Sequence, residues 1–306
     1  MALGAARPRG ELLFMKKGHL YIAATAVLFS TAEIATKFIA DQIDPLQLTF
    51  LRFLIGGLFL LPFALRDLRR REQTLTAKDW LSLALLGALG VTVSMPLFQL
   101  AVQVAKAGKV AVVFSTNTLF TAAFAVWILR ERFTAAVGAA MALGLLGVVS
   151  MLNPFAGMPD ALGMMLALSS AALFALYGVL GAGLARRFGG FILNGFSFLF
   201  GAVLLLIPMA ALGTPVIQGI TAANLPVLLY AGLAVTGLGY LFYFAAMRET
   251  SAIETSAVFF IKPALAPMLA WLILAEAPQW NTVLGILLIT TGALVLFWKK
   301  KTVART

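Results

Sequence analysis

Few residues of this chain can do chemistry, and the ones that can stand in apolar surroundings. Lys262 lies inside "AVFFIKPALAPMLAWLIL" (residues 257–274), followed at once by Pro263 and then by Pro267. An ammonium group there suits a carboxylate or another anion. Each proline frees a carbonyl by withholding an amide hydrogen, Pro263 that of Phe259 and Pro267 that of Pro263. Glu33 and Arg52 are further charges inside apolar runs, suited to an ion pair or, through the carboxylate, to taking up a proton in a coupled cycle. Ser30, Gln99, Asn117, Thr118, Tyr177, Asn194, Tyr240 and Tyr243 add hydroxyl, amide and phenol groups, and Pro96 adds another helix break. The single histidine, His19, has no cysteine or carboxylate cluster around it, so no metal site or cofactor is expected. Zero cysteines exclude disulfides and thiolate nucleophiles.

The elements that hold these groups must cross hydrocarbon. Of 306 residues, 61% are hydrophobic and 11% charged, too apolar for a soluble domain of this length. A helix needs about 20 mostly apolar residues to span a bilayer. Ten such windows are expected, at 18–40, 46–66, 79–103, 108–129, 133–152, 161–185, 190–212, 224–247, 251–275 and 279–298. The expected fold is therefore an all-α polytopic membrane protein. Its polar connections, the longest being "RDLRRREQTLTAKD", are too short to bury a core, so the spans themselves must carry the function. The first apolar segment reads as a span and not as a removable signal peptide.

Charge sets the expected sidedness. With both termini in the cytoplasm, 18 of the 23 basic residues fall on the inner face, against Lys37, Lys106 and Lys109 outside and Arg52 and Lys262 within spans. The formal charge of +11 is thus read as topology, with the bilayer as partner and no nucleic acid.

Sliding the chain against itself by about 145 residues brings like onto like. "GHLYIAATAVLF" from Gly18 falls on "GMMLALSSAALF" from Gly163, and "FLIGGLFLLP" on "FLFGAVLLLIP". "LLGALGVTV" falls on "YAGLAVTGL", and "VWILRERF" on "WLILAEAP", aligning Gly87 with Gly232 and Glu131 with Glu276. Two repeats of five spans each follow, at 18–152 and 161–298, between an N-terminal segment at 1–17 and a basic tail at 299–306. An odd number of spans puts the second copy upside down, the inverted-repeat plan of transporters that expose a midplane site alternately to either side.

With "LRF" at 51–53, the glutamates closing the fourth and ninth spans, Gly147 and Gly292, and "KPALAP", the chain resembles the drug/metabolite transporter superfamily, in particular its ten-helix EamA-type members. The resemblance covers residues 18–298. It implies a central cavity framed mainly by spans one to four and six to nine, and movement of small organic metabolites, commonly outward, across the plasma membrane. One departure is that Asn117-Thr118 stands where the second repeat has Lys262-Pro263.

Lys262 lies about eleven residues into its span, on the order of 17 Å deep, close to the midplane. It either lines a cavity or makes a structural hydrogen bond. Glu33 and Arg52 form a structural pair or a coupling site, and Lys37, one turn beyond Glu33, offers a competing partner. Aromatic rings with few polar handles suit an amphipathic or zwitterionic solute such as an amino acid. The small residues Ala140, Gly144 and Gly147, with Gly285 and Gly292, permit close helix approach and are candidate homodimer contacts. No G-x-x-x-x-G-K-[ST] loop and no hydrolase motif is present, so a secondary transporter is preferred over a channel, a sensor or a membrane-embedded enzyme.

Overall fold

The protein's structure, a computed structural model, describes residues 9–72, 74–128, 135–152, 161–250, 252–256, 258–259 and 279–303, with isolated positions at 265, 269, 271–273 and 275. Lys262, Pro263, Pro267, Glu131 and Glu276 lie outside the described residues, as does the side chain of Glu33. Among the described residues there are helices and no strands. In order these are α1 (Arg9–Ser30), α2 (Ala32–Lys37), α3 (Pro45–Arg70), α4 (Ala77–Gly87), a π-helix π1 (Ala88–Ser94), α5 (Met95–Val104), α6 (Ala107–Phe114) and α7 (Asn117–Ile128). Then come α8 (Ala135–Leu152), α9 (Ala161–Phe188), α10 (Gly190–Ala211), α11 (Leu225–Leu229), π2 (Tyr230–Gly239), α12 (Tyr240–Glu249), α13 (Ala252–Thr255) and α14 (Trp280–Val303).

Among the described residues, seven stretches are long and apolar enough to cross a membrane: Lys17–Lys37, Pro45–Arg70, Ala77–Val104, Ala107–Ile128, Ala161–Phe188, Gly190–Ala211 and Leu225–Glu249. Local chemistry sets their ends. Asp44 caps α3 by accepting from the Leu46 and Gln47 amides, with Pro45 at the first position, where a missing N–H costs nothing. Thr76 and Asp79 form a reciprocal capping box on α4, and Asp79 also takes Arg187 Nη1 at 2.9 Å, tying α4 to the end of α9.

The packing repeats itself. α3 lies along α10 and α8 along α14; α5 pairs with α9 as α1 does with α12. Contacts between α3 and α10 join Phe53 to Phe198, Gly57 to Leu199, Ala64 to Gly195 and Phe63 to Phe191, so one chain rises as the other falls and the two helices are antiparallel. Glycines let other backbones meet as well, α3 against π2 and α10 against α4. A Cβ on Gly56 would lie 3.0 Å from the Gly232 carbonyl oxygen, and in the equivalent place a Cβ on Gly201 would run into the Gly87 carbonyl.

Both π-helices fall at matching places in the two repeats. Wider turns there change where the following side chains point. The Met95 amide donates to the Gly90 carbonyl five residues back, and Pro96, with no amide hydrogen, starts α5 immediately after. The Thr236 hydroxyl donates to the Ala231 carbonyl at 2.8 Å, again five residues back. The fourth span is also interrupted, at Ser115–Thr116, with no proline. Both hydroxyls turn back onto carbonyls, those of Ala111 and Val113, at 2.7 Å and compete with the helix.

Gly87→Ala should lower stability by about 1–3 kcal/mol through a methyl group forced against the Ser197 carbonyl. Gly183→Ala, where a Cβ meets nothing within 4 Å, should be neutral or gain about 0.5–1 kcal/mol. Thermal unfolding of the purified variants checks both.

Candidate functional site

At the centre, residues that occupy the same position in the two repeats touch each other. Phe53 and Phe198 stand edge to face with centroids 4.9 Å apart. Phe114 and Phe259 are 6.1 Å apart, and Tyr240 donates its hydroxyl to Met95 Sδ at 3.3 Å across a separation of 145 residues. A residue meets its own counterpart only on a two-fold axis, so these three pairs mark a pseudo-two-fold axis through the molecule. Phe29 and its counterpart Phe174 flank it, with Phe29 5.0 Å and Phe174 5.9 Å from Tyr240.

Beside the axis lies a cavity of about 30 Å³, lined by Phe29, Ala32, Arg52, Met95, Phe98, Phe114, Phe174, Val235 and Tyr240. Arg52 is 3% exposed. Its Nη2 donates to Met95 Sδ at 3.1 Å, and its guanidinium carbon lies 5.0 Å from the Phe53 ring centre. A thioether is a weak acceptor, and the guanidinium and a phenol both point hydrogens at this one sulfur. The arrangement is a buried guanidinium enclosed by aromatic walls, with a thioether as one of its contacts.

The other expected site residues are placed as follows. Tyr177 and Tyr243 are buried in the same ring cluster as Tyr240. Thr118 Oγ1 donates to the Ser256 carbonyl at 3.3 Å, linking the interrupted fourth span to the second repeat. Ser30 bonds back to the Ala26 carbonyl at 2.7 Å and does not line the cavity. Asn117 and Asn194 are fully buried, and neither amide oxygen nor amide nitrogen has a hydrogen-bond partner; the same holds for Gln99 Oε1, Thr121 Oγ1 and Ser197 Oγ. The Tyr177 hydroxyl faces Ser197 without forming a hydrogen bond of good geometry. Such orphaned groups cost about 1–3 kcal/mol each, and proteins retain few of them without a use.

Lys37 differs from its expected role. It does not simply offer a partner one turn from Glu33: its Nζ donates to the carbonyls of Val102, Gln103 and Ala105 at 2.9, 3.2 and 3.2 Å, closing the C-terminal end of α5. Lys109, counted among the outer charges, is buried. Met95 and the seven central phenylalanines escaped sequence reasoning, because an apolar side chain facing a cavity reads the same as one facing lipid. The available signal was that six of those phenylalanines recur at the repeat offset, Phe29 with Phe174, Phe53 with Phe198 and Phe114 with Phe259, whereas Met95 and Phe98 fall on tyrosines. The reciprocal bonds of Ser94 and Ser170, at 3.0 and 2.7 Å to each other's carbonyls, had no signal beyond two serines in apolar runs.

Comparison with known proteins places this arrangement. Residues 16–153 and 161–298 each match the EamA-like transporter family. The chain belongs to that family. An uncharacterized transporter of Clostridium kluyveri is 40% identical over 295 residues, covering 94% of this chain and 95% of the relative. The uncharacterized transporter YoaV of Bacillus subtilis is 26% identical, covering 91% and 96%. A solved crystal structure of a protein superposes with a TM-score of 0.69 at 20% identity, over 94% of this chain and 99% of that one, and so shares the fold. The chain is thus a multi-pass membrane protein of a transporter family, held here in a conformation whose central cavity has room for a water molecule or two.

Lys37→Met should cost about 2–3 kcal/mol by stripping three carbonyls of their donor, whereas Lys37→Arg should recover part of that loss. Thermal midpoints of the purified variants measure it.

Proposed function

We propose that the protein is a secondary transporter that moves small amphipathic solutes bearing a carboxylate, such as amino acids, across the plasma membrane by alternating access. The full architecture in this reading is ten spans in two oppositely oriented five-helix repeats, with both termini cytoplasmic. Antiparallel packing of α3 with α10 supports the inversion, as does the repeat-related pairing of α1 with α12 and of α5 with α9. The positive charge around Arg66, Arg69, Arg70, Arg186 and Arg187 supports the orientation. Outward movement is the direction implied by resemblance.

One observation carries the reading: Met95 and Tyr240, counterparts in the two repeats, meet over a closed cavity that holds a buried arginine. Sites for organic ligands occupy about 300–1,000 Å³, at least about ten times the roughly 30 Å³ present, so a solute enters only if the halves part. A two-fold axis supplies two equivalent ways of parting, one toward each side, and energy then comes from gradients. In the opened site Arg52 takes the carboxylate and the aromatic walls take the apolar body. Lys262, the counterpart of Asn117, is proposed to line the same opened cavity, with Pro263 and Pro267 as the bend and Pro96 as its partner at the head of α5.

Counterflow in proteoliposomes tests this with labelled neutral amino acids and the amines that lack their carboxylate. Exchange of the acids is expected, with Arg52→Gln raising their KM about tenfold, equal to about 1.4 kcal/mol. Transport of amines alone, insensitive to Arg52→Gln and Lys262→Ala, defeats the proposal. Because the chain has no cysteine, Met95→Cys with Tyr240→Cys can be bridged cleanly by a thiol cross-linker. Bridging should arrest counterflow, and cleaving the bridge should restore it.

A further inference from the structure

The two-fold relation carries the Arg52 cavity onto a second place with different chemistry. Phe53 matches Phe198, so the position next to it, Arg52 in the first repeat, is Ser197 in the second. Ala32, which lines the cavity, is matched by Tyr177. Asn194 sits one helical turn from Ser197 on the same face of α10. All three are buried, Tyr177 at 1% exposure and the other two at 0%. Tyr177 OH, Ser197 Oγ and both polar atoms of the Asn194 amide have no hydrogen-bond partner, although Tyr177 and Ser197 face one another. The Phe244 ring lies 5.6 Å from Tyr177 and the Tyr240 ring 6.3 Å.

We propose that Tyr177, Ser197 and Asn194 form a second polar subsite, the counterpart of the Arg52 site, which receives a hydrogen-bond-donating group, ammonium or hydroxyl, on the solute whose carboxylate Arg52 holds. This rests on the transport reading above and specifies its solute. The Tyr177, Ser197 and Asn194 oxygens carry no fixed charge and each can accept a hydrogen, so the subsite suits a hydrogen-bond donor and has no cation to attract a second anion. The neighbouring ring faces favour a cationic donor further. The Asn194 amide is buried without a partner one turn from Ser197, and the Tyr177 and Ser197 hydroxyls face each other without good hydrogen-bond geometry, so these groups keep accepting capacity that a bound solute completes. When the halves change places, the Arg52 side and the Ser197 side exchange their relation to the opening. A solute with one charged and one hydrogen-bonding end then keeps a polar contact on each side of the axis throughout.

Two measurements on the full-length purified protein test the proposal. In the first, the thermal midpoint of solute-free Asn194→Leu and Ser197→Ala is compared with the parent. Removing groups that lack partners should leave the midpoint unchanged or raise it; a fall of several degrees in both variants would show that they are satisfied structurally and overturn the subsite. In the second, counterflow of labelled leucine is competed with unlabelled leucine, 2-hydroxy-4-methylpentanoate and 4-methylpentanoate. The parent should prefer leucine or the hydroxy acid over the third compound by about tenfold, and in Ser197→Ala and Asn194→Leu that ratio should fall toward one. A leucine advantage over the hydroxy acid identifies ammonium as the donor, and equal competition identifies either. A ratio that survives both substitutions overturns the proposal and leaves the groups to water alone. If the parent carries no leucine, the solute class proposed above fails, and the thermal comparison still decides whether these groups are orphaned.

Discussion

A residue on a two-fold axis must tolerate its own counterpart. That constraint organises the centre of this protein. Rings tolerate it well, since an edge of one phenylalanine can meet the face of its counterpart, as Phe53 does with Phe198. Charges do not: two buried guanidinium groups would repel each other in a medium that screens them poorly. The sequence obeys this. Arg52 is matched by Ser197, and Lys262 by Asn117, so each cation has a neutral counterpart. Met95 opposite Tyr240 is a third unlike pair, a sulfur acceptor facing a phenol donor. Symmetry of the backbone coexists with asymmetry of the polar groups.

Hydrocarbon imposes the second constraint, that no backbone polar group be left bare. The spans near the axis are nevertheless irregular, and each irregularity carries its own remedy. π1 and π2 shift bonds to the fifth residue back, with the Thr236 hydroxyl assisting. The break at Ser115–Thr116 is covered by two hydroxyls, and the open end of α5 by the three hydrogens of Lys37. Irregular backbone thus gathers around the centre, while α8 and α14 pair with each other away from it. Local remedies of this kind let irregular helices stand in hydrocarbon without bare polar groups.

The closed cavity and the orphaned amides are two faces of one conformation. Walls of Phe29, Phe98, Phe114 and Phe174 leave about 30 Å³ beside Arg52. Asn117, Asn194 and Ser197 lie buried with their hydrogen-bonding capacity unspent. Aromatic packing of this extent stabilises closure, whereas unspent polar groups oppose it.

Sequence alone determined the class of molecule, the ends of most spans to within a few residues, the duplicated plan and the family. The physical reason is that hydrocarbon demands long apolar runs and that a duplication leaves its offset in plain view. That Arg52 stands inside a span was also legible, since it lies in a long apolar run. Tertiary structure decided which of the 24 phenylalanines face the axis, that Met95 bridges Arg52 and Tyr240, and that Lys37 closes α5. It also decided that Ser30 bonds back within its own helix, that Tyr177 sits at the counterpart of the cavity residue Ala32, and that neither Tyr177 nor Asn194 lines the cavity itself. Hydropathy assigns the same value to a side chain facing lipid and to one facing a neighbour 145 residues away. Only the fold brings that neighbour into contact.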